Sequence, residues 1–99
     1  RHRAPSRARA QLAEVAACAG GRLMAFVCDK LARNYALRRT GFPDLCLWRP
    51  ASDDYPAALV LVEVKGPGDA LSAAQTLWLS ELRSGANTCC GLAQIDAAR

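Results

Sequence analysis

The sequence has little of what several common classes of protein require. It contains one histidine and five cysteines in 99 residues, and no two cysteines have the C-x-x-C spacing. This scarcity argues against a zinc site, a Cys-His catalytic pair and a disulfide framework. No apolar run approaches the ~18 residues of a membrane-spanning helix, so we expect a chain that does not cross a membrane.

The composition is typical of one folded domain. Hydrophobic residues make up 52% of the chain and charged residues 22%, which argues against disorder. Because position 1 is an arginine, we expect a fragment of a larger chain, with 1–9 as a basic linker or frayed helix start and 10–99 as the domain. Cys28 and Cys46 are expected to be buried free thiols, which suits a reducing compartment, the cytosol or the nucleus.

The charges are separated along the chain. Residues 1–39 contain nine basic and two acidic side chains, whereas residues 40–99 contain four basic and seven acidic ones. A basic half beside an acidic half suits a protein that attracts a polyanion with one region and holds divalent cations with another. Arg38 and Arg39 are candidates for contacts with backbone phosphate. The alternatives are a solvated basic face and charges that complement a helix C-terminus.

The period of the apolar residues changes from helical to extended along the chain. Apolar residues three and four apart predict two helices separated at residues 20–21, the second of which should stop near Arg39. A hairpin with strands at about 45–48 and 58–65 follows, then a helix that Ser72 caps. A last strand at about 87–92 should return beside the second strand. The sequence predicts an α/β domain of order α-α-β-β-α-β, whose second strand is central and covered on both faces.

Two carboxylates and a lysine are predicted to meet at one corner of this sheet. Glu63 and Lys65 are two apart in a strand, so their side chains point to the same face. Asp44 begins the preceding strand, and in a hairpin the start of one strand lies opposite the end of the other. Oxygen ligands suit Mg²⁺ or Mn²⁺, with the Val64 carbonyl as a further ligand and Lys65 placed to orient a water. The alternative is an exposed Glu-Lys pair with an aspartate in a turn.

Three blocks around these residues carry a family resemblance. They are GFPDLCLW at 41–48, LVEVKGPGD at 61–69 and LSAAQTLW at 71–78. In this order and spacing they closely resemble the VRR-NUC family of PD-(D/E)xK nucleases, over about residues 22–92. The resemblance implies a restriction-endonuclease-like core with a small mixed sheet flanked by helices. It also implies that Asp44 and Glu63 are metal ligands, that Lys65 is the catalytic lysine, and that Gln75 is the glutamine that the family places at its active site.

The resemblance further implies a function. It implies divalent-metal-dependent, structure-selective hydrolysis of DNA, of the flap endonuclease and 5′ exonuclease type, in interstrand cross-link repair. The implied cofactor is Mg²⁺ or Mn²⁺, and the implied location is the nucleus. The implied partners are branched or flapped DNA and DNA-repair proteins. Arg38 and Arg39 are predicted to bind DNA from their position just before the P-D turn, and not from the resemblance.

Two departures from the family pattern leave alternatives open. Ala70 stands where the family usually has a basic residue, and neither Glu14 nor Asp29 is assigned as the upstream acid that completes the family's metal site. One alternative is a stand-alone, dimeric, junction-cleaving member of the family. The other is a non-catalytic DNA-binding module derived from a nuclease. Trp48 and Trp78 are expected to lie in the core rather than to stack on bases.

Overall fold

The computed structural model describes residues 6–95, which form a three-stranded sheet with helices packed against it. In chain order the elements are α1 (Arg7–Arg33), α2 (Tyr35–Arg38), β1 (Leu45–Arg49), β2 (Ala58–Lys65), α3 (Ala73–Gly85) and β3 (Cys89–Gln94). The strand order is β1-β2-β3, with β1 antiparallel and β3 parallel to the central β2. The predicted α/β class, the order α-α-β-β-α-β and the small mixed sheet are confirmed.

The helical half of the chain has the predicted break at residue 20 and a second break, at Asn34, that was not predicted. Ser6 caps α1, and Gly20 interrupts its helical geometry with φ 80° and ψ 163°, a conformation that glycine adopts without steric cost. The second predicted helix does not continue to Arg39, because the Asn34 side chain accepts a hydrogen bond from the Leu37 N–H and starts the separate helix α2. Residues 1–5 lie outside the described part of the chain, so the predicted boundary after residue 9 stays a prediction.

Helix α1 is long and apolar enough to cross a bilayer by length and composition alone. In the structure it packs on the sheet and on α3. Its Leu23 lies in the hydrophobic core, and its Lys30 pairs with Glu81 of α3 at 3.2 Å. The expectation that the chain does not cross a membrane stays a prediction.

The core lies between one face of the sheet and the helices α1 and α3. Its buried members are Leu23, Leu61, Trp78, Leu82 and Ala86. The opposite face of β1 carries Leu45 and Leu47, which are 48% and 58% exposed, whereas every residue of β2, the strand predicted to be covered on both faces, is buried or half-buried. An apolar sequence pattern shows that a strand can be covered on both sides, but it does not supply the element that covers it.

Trp48 and Cys28 were predicted to be buried, but neither is fully buried. Trp78 is buried as predicted and donates its indole N–H to the Arg38 carbonyl at 3.1 Å. Trp48 is only half-buried, and its indole N–H donates to Glu14 at 2.7 Å. Cys28 is exposed and Cys46 is half-buried, so the prediction of a buried thiol is wrong for Cys28, which lies on the outer face of α1.

The loop before β1 is held against α3 by a close backbone approach. Gly41 has φ 88°, and a Cβ atom there would lie 2.7 Å from Ala74. Only glycine fits this position, because the conformation is strained for other residues and the space is filled. The loop therefore carries Asp44 to the end of β2 that lies nearest the start of α3.

Candidate active site

Asp44 lies beside the end of β2. Leu45 pairs with Val62 across the β1-β2 ladder, so Asp44 stands opposite Glu63 just before β1 begins. The Asp44 Oδ2 atom accepts a hydrogen bond from the Val64 N–H at 3.1 Å. This bond holds an exposed carboxylate against the strand that carries Glu63 and Lys65.

Glu63 is the buried centre of the site. It is 1% exposed, and its Oε2 atom lies 3.7 Å from Lys65 Nζ and accepts a hydrogen bond from Gln75 Nε2 at 3.2 Å. Its Oε1 atom is buried and receives no hydrogen bond from the described residues. A buried carboxylate oxygen without a donor is costly, because its loss of hydration is not compensated.

The two carboxyl groups interact directly, and their pKa values move in opposite directions. The Val64 N–H lowers the pKa of Asp44, and a hydrogen bond with Glu63 lowers it further. Burial raises the pKa of Glu63, and the hydrogen bond and charge of Asp44 raise it further. Of the two carboxyl groups, Glu63 is therefore the first to take up a proton as the pH falls. A positive ion between the carboxylates would lower the pKa of both groups.

The donor set fits a hard divalent cation. Asp44 and Glu63 supply carboxylate oxygens, and the Oε1 atom of Glu63 lacks a partner in the described chain. Within a strand, the N–H and C=O of one residue point toward the same neighbouring strand. Because the Val64 N–H donates to Asp44, the Val64 carbonyl also points toward the chain that leads into β1. Val64 would pair with Pro43 in this ladder, and proline has no N–H to donate to that carbonyl. Two carboxylates and a carbonyl, completed by water, are a ligand set that Mg²⁺ accepts.

No third acidic ligand joins this site within residues 6–95. The described chain contains no cluster of three histidine, cysteine, aspartate or glutamate side chains. Glu14 accepts a hydrogen bond from Trp48, and Asp29 pairs with Arg33 at 2.8 Å. Both upstream acids are therefore engaged away from Asp44.

Gln75 joins α3 to Glu63 with a defined orientation of its amide. Its Oε1 atom accepts the Ser72 N–H at 2.8 Å, in the capping box that begins α3. Because the oxygen faces Ser72, the Nε2 group must face Glu63, to which it donates. The predicted site residues Asp44, Glu63, Lys65 and Gln75 are thus brought together, while their chemical roles stay predictions.

The two arginines predicted to bind DNA have different environments. The Arg38 guanidinium is buried, pairs with Glu81 and lies over the Trp78 ring at 5.2 Å from its centroid. A phosphate contact by Arg38 would require breaking this pair, and the prediction for Arg38 remains untested. Arg39 is exposed and forms no ion pair within residues 6–95. It is the better placed of the two for a phosphate.

Comparison with known proteins identifies the family. Residues 4–91 match the VRR-NUC domain. The chain belongs to the VRR-NUC domain family. It is 44% identical over 73 residues, 74% of its length, to Fanconi-associated nuclease 1 of Danio rerio, and 41% identical over 73 residues to that of Homo sapiens. A homologue in Caenorhabditis elegans is 53% identical over 51 residues, 52% of this chain.

This VRR-NUC domain is a nuclease domain, and it corresponds to a small part of its relatives. The matched segments make up 7% of the Danio rerio and Homo sapiens proteins and 5% of the Caenorhabditis elegans protein. The family match confirms the resemblance drawn from the three sequence blocks.

Two features in and beside the site of this VRR-NUC domain were not predicted from the sequence. The S-x-x-Q spacing predicted a helix cap, but not that the same glutamine would turn its amide nitrogen toward Glu63. Phe42, two residues before Asp44, was read only as part of a motif. Its ring packs edge to face on Trp78, with centroids 5.1 Å apart. The position of an aromatic residue between glycine and proline in the G-F-P-D block was the sequence feature that could have indicated this packing.

Proposed function

We propose that this VRR-NUC domain hydrolyses phosphodiester bonds of branched or flapped DNA with Mg²⁺ or Mn²⁺. The observation that carries the proposal is the Glu63 carboxylate, which is 1% exposed and has an Oε1 atom without a donor in the described chain. It lies beside Asp44 and Lys65, at the end of the central strand. A buried, incompletely satisfied carboxylate next to a second one is typical of a cation site rather than of a surface ion pair.

Each residue has a distinct part in this proposal. A bound divalent cation would polarise the scissile phosphate and lower the pKa of a coordinated water. Asp44, held by the Val64 N–H, and Glu63 would hold the cation, with the Val64 carbonyl as a further ligand. Lys65 is 14% exposed and is held 3.7 Å from Glu63, from where its ammonium group would offset negative charge on the reacting phosphate. Gln75 keeps the Glu63 carboxylate in position.

The proposal also covers the type of DNA cleavage and the cellular process that it serves. We infer a flap endonuclease and 5′ exonuclease type of activity, in interstrand cross-link repair in the nucleus, with DNA-repair proteins as partners. The support is the family membership and the name of the relatives, Fanconi-associated nuclease 1. The excess of positive charge in residues 1–39 supports attraction to a polyanion.

The metal is tested by binding and then by cleavage. Titration of the chain with Mn²⁺, followed by electron paramagnetic resonance, should show a bound ion that Glu63→Gln weakens at least 10-fold. Asp53→Asn removes an exposed carboxylate from the β1-β2 turn and should leave the affinity unchanged. Cleavage of a 5′ flap is then measured in the longest natural form of the protein that carries these residues. Glu63→Gln should abolish cleavage and leave DNA binding largely intact.

The same experiment separates the alternatives. DNA binding without cleavage of any flap, junction or single strand, with either cation, would refute the nuclease proposal and support a non-catalytic module. Ala70 would then mark a lost phosphate contact. Cleavage of four-way junctions by a dimer, with little cleavage of flaps, would support the junction-cleaving alternative.

A further inference from the structure

A pocket of about 340 Å³ lies next to the candidate active site and has no role in the mechanism above. Val27, Leu31, Tyr35 and Phe42 line its walls, together with Trp78 and the two arginines Arg38 and Arg39. Its volume is within the range of small-molecule pockets, about 300–1,000 Å³. Of the two arginines, Arg39 is exposed and Arg38 is already paired with Glu81.

The aromatic side chains of the pocket are open to a ligand. Tyr35 is 65% exposed and Phe42 is 38% exposed. The Phe42 and Trp78 rings meet at 81°, so at least one face of Phe42 is not covered by Trp78. Trp78 itself is 1% exposed and has the Arg38 guanidinium over its ring. Phe42 and Tyr35 therefore provide the ring surfaces on which a ligand can stack, and Trp78 packs against Phe42.

The pocket lies close to the site that would hold the scissile phosphate. Phe42 precedes Asp44 by two residues, which limits the separation of their Cα atoms to about 7 Å. Bases in one strand of duplex DNA rise by about 3.4 Å each, so the pocket lies within a few nucleotides of a phosphate at Asp44. Gly41 fixes the start of this loop against Ala74, so the distance between pocket and site does not depend on a loose segment.

We propose that this pocket binds an unpaired nucleotide of the DNA strand being cut, with its base against Phe42 and Tyr35 and its phosphate on Arg39. The proposal rests on the proposed nuclease function and adds a basis for its selectivity. Apolar and aromatic walls with one exposed cation match a nucleotide, which has an apolar face and one negative charge. A base in duplex DNA is stacked on its neighbours and cannot enter, so the pocket would favour strands with an unpaired base beside the cut.

The test measures whether binding depends on that base. The longest natural form of the protein is titrated with 5′-flap DNA in a chelating buffer, so that nothing is cut. One of the first three unpaired bases is replaced by 2-aminopurine, and in a second series each is removed as an abasic site. We expect a fluorescence change at one position, and removal of that base should weaken binding by about 5-fold or more, since stacking contributes about 1–3 kcal/mol per base.

Variants assign this effect to the pocket. Phe42→Leu should make intact and abasic flaps bind alike, and Arg39→Gln should weaken both equally and lower the salt dependence by about one counterion. The matched control is Tyr55→Leu, which removes another exposed aromatic ring beside an arginine, Arg49, in the β1-β2 hairpin. It should leave the dependence on the base unchanged. The abasic series uses unmodified protein, so it is decisive even if Phe42→Leu folds poorly.

Two results would overturn the pocket proposal. One is equal affinity for intact and abasic flaps at all three positions, which would be the outcome if an apolar protein segment covers the pocket. The other is a dependence on the base that Phe42→Leu retains and Tyr55→Leu removes. Because binding is measured without a cation, base-dependent binding by a protein that never cleaves would support the pocket while refuting the nuclease function. Cleavage by a protein whose binding does not depend on the base would support the nuclease function while refuting the pocket proposal.

Discussion

Replacing Gln75 by glutamate tests how Glu63 is held. The variant Gln75→Glu has nearly the same shape, and its carboxylate still accepts the Ser72 N–H that the wild-type side chain accepts at 2.8 Å. It loses only the Nε2 donor, which lies 3.2 Å from Glu63 Oε2. The substitution therefore changes one contact of the site and leaves the capping box of α3 in place.

The expected loss follows from that geometry. A hydrogen bond to a charged group contributes about 1.5–3 kcal/mol to stability. Two like charges at the observed 3.2 Å would repel by about 5 kcal/mol at an effective dielectric constant of 20, which is an upper limit because either group can take up a proton. We expect the free energy of unfolding at pH 7, without divalent cations, to fall by about 2–4 kcal/mol.

Urea unfolding followed by circular dichroism measures this loss. Gln11→Glu adds the same charge at an exposed position of α1 and should change stability by no more than about 0.5 kcal/mol. Gln75→Met removes the Nε2 donor without adding a charge, but it also removes the Oε1 acceptor of the capping box, so it should be less stable than the wild type. If Gln75→Glu is as stable as the wild type, Gln75 does not donate to Glu63 and the reasoning fails.

Two further predictions concern the parts of the fold that hold the site. The hydrogen bond from Arg38 lowers the pKa of Glu81 in the folded protein. The pair therefore stabilises the fold above the unfolded pKa of Glu81, and this stabilisation is lost as the pH falls through the lower folded pKa. Glu81→Gln should flatten the acid side of the plot of stability against pH and lower the free energy of unfolding at pH 7 by about 1–3 kcal/mol. An unchanged acid limb would contradict this. Gly41→Ala should destabilise the domain by about 1–3 kcal/mol because of the positive φ at this position, and the contact of the added Cβ with Ala74 should destabilise it further. Gly21→Ala, in a helix with open space around the added Cβ, should raise the melting temperature. Equal melting temperatures for the two variants would refute the argument.

The sequence alone determined the elements whose signals are local. The bounds 58–65 predicted for the central strand are those observed, because a run of apolar residues between turn signals needs no distant partner to be recognised. The Ser72 cap was readable because both members of the capping box lie within one helical turn. The period of two along a strand also placed Glu63 and Lys65 on one face, and the hairpin placed Asp44 opposite them.

The tertiary structure alone decided which side chains are covered and what each polar group contacts. Arg38 appeared to be a surface arginine in the sequence, yet Glu81 and Trp78, about 40 residues later, enclose it. The pocket beside Phe42 likewise joins residues of α1, α2 and α3. The amide of Gln75 is oriented by contacts on both of its sides, and only one of these is local. Periodicity assigns a residue to a face of its own element, but burial depends on which other element packs against that face.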